Sequence, residues 1–197
     1  MSSHKSDTRS RILEAACRLL EQSSGKAVRM SDIAKAAGVS RQAVYLHFES
    51  RDDLMIATRK YVDEVKGLEE RLEVLQSATT GTKLLEAIVD VWGNYIADIH
   101  AIDKAMMNTL ETDEAKAAVW NDCMRGLNDT CREAINALKG EKHLAPGWSR
   151  KEAVEICLTT LSIHNWEQLT LEYGWSTPQY VSRMKTLLKR ALIVDDG

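Results

Sequence analysis

Two prolines in 197 residues, Pro146 and Pro178, leave almost the whole chain free to run as helix. A proline inside a helix removes a backbone hydrogen bond and clashes with the preceding turn, so long proline-free stretches are a precondition for long helices. Along the chain, apolar residues recur at i, i+3 and i+4, while runs of alternating β-branched or aromatic residues are few. The expected fold is therefore all-α: an N-terminal three-helix domain containing a helix-turn-helix, followed by a larger helical domain.

A first helix is expected from about Asp7 to Gln22, with Ile12, Leu13, Ala16, Leu19 and Leu20 on one face; Ser23-Ser24-Gly25 stops it. A second, short helix runs from Ser31, read as its N-cap, to Ala37 and buries Ile33 and Ala34. Gly38 takes positive φ at the turn, Val39 plugs the angle, and Ser40 caps a third helix through about His47. Two short helices joined by a glycine-containing turn form the helix-turn-helix pattern. Neither would persist alone in water, so Ile33, Ala34, Ala37, Val44 and Phe48 must hold them against the first helix.

What stays exposed on the third helix suits the major groove of B-DNA. Arg41 can donate a fork to guanine, Gln42 can pair with adenine through two hydrogen bonds, and Ala43 permits close approach or meets a thymine methyl. Ser40, Tyr45 and His47 suit phosphates, which position a helix without reading sequence. Ser50-Arg51-Asp52-Asp53 opens a fourth helix with an S-x-x-D cap, placing Arg51 and free backbone N–H groups where another phosphate docks. An ordinary three-helix unit with a solvated polar face would show the same turn. Charge separates the two ends of the chain: residues 1–60 carry 11 Lys and Arg against 7 Asp and Glu, whereas the rest carries 15 against 22. The basic end is where a polyanion would bind.

The stretch VRMSDIAKAAGVSRQAVYLHFESRDDLMIA, Val28 to Ala57, resembles the DNA-binding domain of TetR-family transcriptional regulators. The Ile-Ala of the second helix, A-G-V-S at the turn, Y-x-H-F at the end of the recognition helix and the basic-acidic-acidic-Leu start of the fourth helix occur in the family's order. Beyond roughly the first 60 residues the resemblance is architectural only. It implies a helix-turn-helix domain over residues 1–50, a regulatory and dimerisation domain over 51–197, and DNA contacts at Ser40, Arg41, Gln42, Tyr45, His47 and Arg51. Arg51 stands where the family usually has lysine, which keeps the charge but changes the geometry of a phosphate contact.

Downstream, a fourth helix is expected from Asp52 to about Gln76, a fifth from Lys83 to Ile99, and a shorter segment carrying Met106, Met107 and Leu110. Another runs from Asp113 to about Leu138, and Lys139 to Trp148 is a loop. A capping box at Ser149-x-x-Glu152 opens a helix to about Tyr173, and Ser176-Thr177-Pro178-Gln179 opens the last, to about Ile193. The helix from Ser149 carries Val154, Ile156, Cys157, Leu158, Leu161, Ile163, Trp166 and Leu169, which cannot share one stripe, so it needs cover on two faces. With Tyr180, Val181, Met184, Leu187, Leu188 and Leu192 of the last helix it is read as a homodimer interface built as a four-helix bundle, as the resemblance also implies. A monomer whose own helices supply the cover is the alternative. A two-fold dimer would present two recognition helices about one turn, roughly 34 Å, apart to a pseudo-palindromic operator.

Five tryptophans and seven methionines stand against one phenylalanine. Trp92, Tyr95, Met106, Met107, Trp120, Met124 and Trp166 are expected to line a site for a small apolar or aromatic effector, with His100 and His164 as candidates for orienting it. The same residues would also serve as ordinary core. H-E-x-x-H, G-x-S-x-G, Walker A and G-x-G-x-x-G motifs are absent, and His164 with Glu167 alone is weak metal evidence, so neither an enzyme, a cofactor nor a metal is expected. Cys17, Cys123, Cys131 and Cys157 form no C-x-x-C pair and read as reduced thiols. Cys123 and Cys131 share a helical face, but roughly 12 Å of rise separates them, too far for a disulfide. No segment approaches the roughly 20 apolar residues of a membrane span, and the polar N-terminus lacks the apolar core of a signal peptide, so a cytoplasmic protein is expected. The resulting reading is a ligand-responsive repressor that binds its operator as a dimer. The alternative is a DNA-binding dimer without a small-molecule ligand, controlled by a protein partner or by thiol oxidation.

Overall fold

The computed structural model describes residues 2–194, apart from the side chains of residues 2–6 and of Cys123. The helices are α1 (Ser2–Gln22), α2 (Met30–Ala36), α3 (Arg41–Tyr45), α4 (Arg51–Val65), α5 (Leu68–Glu73), α6 (Gly81–Thr109), α7 (Asp113–Gly140), α8 (Arg150–Thr160), α9 (Ile163–Glu167) and α10 (Thr177–Leu192). A 3-10 turn at Val74–Ser77 extends α5, and a π turn at Gln168–Glu172 extends α9. No strand occurs among the described residues; an isolated antiparallel bridge joins Leu144 to Ile193. The chain clusters into two units, one comprising residues up to Gly67 with Ile99–Asn121, the other Leu68–Asp98 with the residues from Asp122 onward. The packing unit that holds the helix-turn-helix therefore extends past residue 50.

In the first unit α1 packs on α2 and α4, and α2 packs on α3. Ile12, Leu13, Ala16 and Leu20 of α1 are buried, as are Ile33, Ala34, Ala37, Val44 and Phe48, the residues that the short helices need as anchors. Gly38 has φ of +67°, the left-handed conformation that terminates α2. Arg11 reaches across from α1 and donates to the Ala37 carbonyl at 2.6 Å, satisfying a helix-end acceptor. A Cβ on Gly38 would lie 3.2 Å from that guanidinium, so conformation and space both select glycine.

Several helix limits differ from expectation. Met30 already belongs to α2, whose N-cap is Arg29 without a side-chain cap; Ser31 sits inside the first turn instead of capping it. The long fourth helix ends at Val65 because Gly67 adopts φ of +65°. The fifth does not end at Ile99 but continues through Met106 to Thr109, with Ile102, Ala105 and Met106 buried and extending the apolar stripe. The helix opened by the Ser149 capping box stops at Thr160; Ser162 then starts α9 by accepting from the Asn165 N–H.

The second unit is cored by Leu85, Ile88, Trp92 and Tyr95 of α6, by Cys131, Ile135 and Leu138 of α7, and by Cys157 and Tyr180 from α8 and α10. Two glycines set close approaches here. A Cβ on Gly81 would lie 2.5 Å from the Leu138 amide nitrogen, and one on Gly93 would lie 2.8 Å from Val181 Cγ2. Tyr180, Val181, Met184, Leu188 and Leu192, assigned from the sequence to a dimer face, are buried within this single chain, while Leu187 is 53% exposed. Most of the apolar surface of α10 is thus covered by the chain's own helices.

Candidate nucleic-acid interface

The surface of α3 is held from both ends. Ser40 Oγ accepts from the Ala43 N–H at 3.1 Å, and Val44 and Phe48 anchor the opposite side. Arg41, Gln42 and Tyr45 are exposed, and Ala43 and His47 are half-buried. Arg41 and Tyr45, one turn apart, act as a stacked pair: the guanidinium lies 5.7 Å from the ring centroid and donates to the hydroxyl at 3.5 Å. That hydrogen bond is long and weak, so Arg41 leaves Tyr45 at little cost when a better acceptor arrives. Leu46 follows as the helix C-cap and is 78% exposed, an apolar side chain on a polar face that the sequence reading passed over.

The start of α4 is built as the S-x-x-D motif predicts, with one difference. Ser50 Oγ accepts from the Asp53 N–H at 3.0 Å, but the Asp53 carboxylate returns to the N–H of Glu49, also at 3.0 Å, and not to that of Ser50. Arg51 is not a free cation waiting at the helix end. Its Nη1 pairs with Glu111 Oε1 at 2.9 Å, its Nη2 donates to the Val28 carbonyl at 2.7 Å, and its Nε is buried without a hydrogen-bond partner. The neighbouring Asp52 explains why Glu111 is there: it accepts from the Glu111 N–H at 2.8 Å, the Thr112 N–H at 3.2 Å and the Thr112 hydroxyl at 2.7 Å. Burial pushes the Asp52 carboxyl up, but these three hydrogen bonds and the adjacent Arg51 outweigh it and hold the group below its ordinary value. Arg29, Ser31, Arg41, Tyr45, Ser50, Arg51 and Glu111 help to line a surface basin of about 470 Å³ beside α3. Its three guanidiniums and two carboxylates, Glu49 and Glu111, come from segments up to 82 residues apart, which local pattern reading does not join.

The aromatic residues expected to hold an effector behave differently. Trp92 and Tyr95 meet edge to face at 6.0 Å, the Trp92 indole donates to Thr130 at 3.3 Å, and Arg71 lies 5.4 Å from the Tyr95 ring centroid while pairing with Asp98. Trp166 is buried and Met124 half-buried in the same unit. Met106 and Trp120 belong to the first unit, the former fully buried. His164 does not sit among the aromatics as an orienting group: its side chain is 79% exposed, with Glu167 at 3.8 Å on the same helical turn. His100 is buried in the first unit. No cluster of three or more metal-ligating side chains is found among the described residues, and no helix there is long and apolar enough to cross a membrane.

Residues 12–58, from the middle of α1 to the middle of α4, match the family model of bacterial regulatory proteins of the tetR family. That segment is similar to the tetR family over about a quarter of the chain. A stretch of 48 residues is similar to AcrR, an HTH-type transcriptional regulator of Shigella flexneri, at 46% identity, 24% of this chain and 22% of that one. Matches to curated relatives span about a third or less of those proteins' lengths. The fold similarity runs much further. FadR of Bacillus subtilis, a transcriptional regulator solved in complex with stearoyl-CoA, superposes with a TM-score of 0.73 at 18% identity over 92% of this chain and 97% of that one. A protein from Saccharomonospora viridis solved with choline gives a TM-score of 0.77 at 17% identity, over 96% and 99% of the two chains. At such identities the likeness establishes a shared all-helical fold. The second unit falls within that shared fold, outside the segment that the family model matches.

Proposed function

We propose that this chain is a one-component transcriptional regulator that binds double-stranded DNA as a homodimer and represses from a pseudo-palindromic operator until a small, largely apolar or aromatic effector releases it. The observation that carries the reading is the α3 surface, capped by Ser40, pinned by Val44 and Phe48, and presenting Arg41, Gln42 and Tyr45 outward. Arg41 and Gln42 are assigned to base edges, Ala43 to close approach, and Ser40, Tyr45, His47 and Arg51 to phosphates. DNA binding is assigned to residues 1–50, and regulation and dimerisation to 51–197, with the partner engaging the exposed remainder of α8 and α10, Leu187 included. A cytoplasmic location follows from a DNA partner.

Ligand complexes of FadR and of the Saccharomonospora viridis protein support a ligand-responsive second domain, and their unlike ligands leave the effector's chemistry open. Trp92, Tyr95, Met124 and Trp166 are the proposed effector contacts in the second unit, and Met106 and Trp120 those in the first. Thiol control has less support. Cys131 is hydrogen-bonded to Cys157, and that bond together with burial pushes its thiol well up, which leaves it protonated and a poor nucleophile.

Selection of random duplexes by the purified protein at two salt concentrations tests the reading. A recovered palindrome whose binding weakens steeply with salt is the expected result. Failure to enrich any sequence from folded, effector-free protein would overturn it.

A further inference from the structure

We propose that Glu111 competes with the DNA backbone for Arg51, so that DNA binding by this chain is tuned below what its cationic basin would otherwise give; this rests on the DNA-binding reading above. Arg51 carries five N–H donors on three nitrogens, and one donor on each Nη is engaged. Nη2 points inward to the Val28 carbonyl, Nε is buried without an acceptor, and Nη1 is taken by the Glu111 carboxylate at 2.9 Å. The arginine side chain is 22% exposed and that of the glutamate 62%, so a phosphate arriving from solvent meets the carboxylate before it meets the guanidinium.

Glu111 is also held in place. The Asp52 carboxylate binds its backbone N–H and both polar hydrogens of Thr112, which pins the link between α6 and α7 against the start of α4. A displaced Glu111 carboxylate therefore stays close to the phosphate that displaced it, within the distance over which salt does not screen like-charge repulsion. The pair is exposed enough that its own attraction is modest, so the competition lowers affinity without blocking binding. Val28 adds to the rigidity: its N–H donates to Thr109 at 2.9 Å, so the carbonyl that orients Arg51 is tied to the end of α6.

The test is a double-mutant cycle on the full chain, read as equilibrium binding to a mixed-sequence duplex and to the selected palindrome, across a salt series. Glu111→Gln removes the charge and keeps the shape, and it should tighten binding to both duplexes by about 1.5- to 5-fold, the range expected for one exposed charge pair. The slope of log K against log salt should steepen by up to about 0.9, one further phosphate neutralised. The gain should vanish when Arg51→Ala is also present. Glu111→Ala serves as a second variant, and thermal unfolding of each confirms folding. Unchanged or weaker binding by both Glu111 variants would overturn the proposal. So would a gain that survives Arg51→Ala, because Glu111 would then act only as a general negative charge. If the wild type itself binds no duplex, the DNA-binding reading falls and this proposal falls with it; if the wild type binds and the cycle is additive, only this proposal falls.

Discussion

The helix-turn-helix and the aromatic-rich second unit are built from similar apolar spacings, yet they are specified over different distances. In the first, the decisive devices are local: Ser40 caps Ala43 three residues on, Ser50 caps Asp53, and Gly38 supplies the positive φ that ends α2. In the second, helices meet through close approaches between distant residues, such as Gly93 against Val181 and Trp92 against Gly126 and Thr130. Local signals mark where a short helix starts; they say little about which faces of long helices come together.

The most severe challenge to this contrast is Phe48→Ala. Phe48 is 1% exposed, carries the Arg9 guanidinium 5.1 Å from its ring centroid, and anchors the end of the recognition segment, so truncation should cost about 3–5 kcal/mol in chemical denaturation. A loss below about 1 kcal/mol would mean that the local caps, not tertiary burial, hold α3.

The two glycines sharpen the comparison at about 1–3 kcal/mol each, for different reasons. Gly93→Ala should destabilise by overpacking against Val181, whose Cγ2 would be 2.8 Å away. Gly38→Ala should destabilise mainly through backbone strain at φ of +67°, with a smaller share from the flexible Arg11 guanidinium 3.2 Å from the new Cβ. Replacing Val181 with alanine should rescue the first variant and leave the second untouched; rescue of neither would show that the contact at Gly93 is not what limits it.

On the DNA side, Gln42→Ala should relax base preference at one operator position by about 1–3 kcal/mol, measured by competition among single-base operator variants. Tyr45→Phe should instead weaken all sequences alike. An unchanged preference after Gln42→Ala would remove the base-contact assignment.

A smaller effect is expected from the buried charge cluster of the first unit, where Arg59 pairs with Asp63 and, at 3.1 Å, with Asp103. Burial pushes the Asp103 carboxyl from 3.8 up to about 6; Arg59 opposes this, Asp63 reinforces it, and His100 opposes it. Between those two values the folded chain holds a proton that the unfolded chain has released. This group's contribution to stability is therefore greatest below the lower value and declines as pH rises through the upper one. Relative to Asp103→Asn, the wild type should gain about 1 kcal/mol between pH 7 and pH 5. Parallel pH profiles for the two proteins would contradict the assignment.

The all-helical class, the turn at Gly38, the caps at Ser40, Ser50, Ser149 and Ser176, and the anchors of α2 and α3 were legible because each depends on residues within a few positions. The misjudged limits share an opposite cause. Ser31 is a good capping residue, but Met30 is buried and belongs to the helix, so the N-cap lies two positions earlier, at Arg29. Met106 was separated from α6 although nothing local breaks the helix there, and the fourth helix was carried to Gln76 although Gly67 turns the chain. At the candidate site, Arg41, Gln42 and Tyr45 were visible from the recognition-helix pattern. The carboxylate on Arg51 was not, because Glu111 lies 60 residues away.

Periodicity, capping and glycine chemistry are written in neighbouring residues, and they determine that this chain makes helices, where most of them begin, and which short helix presents a polar face. Which side chains share a core, whether Tyr180 and Leu188 face a partner or their own chain, that His164 stands in solvent, and that Arg51 answers to Glu111 were decided only once the chain had folded. Such contacts depend on the directions in which separate helices cross, and those directions are set by the packing of all the helices together rather than by any one stretch of residues.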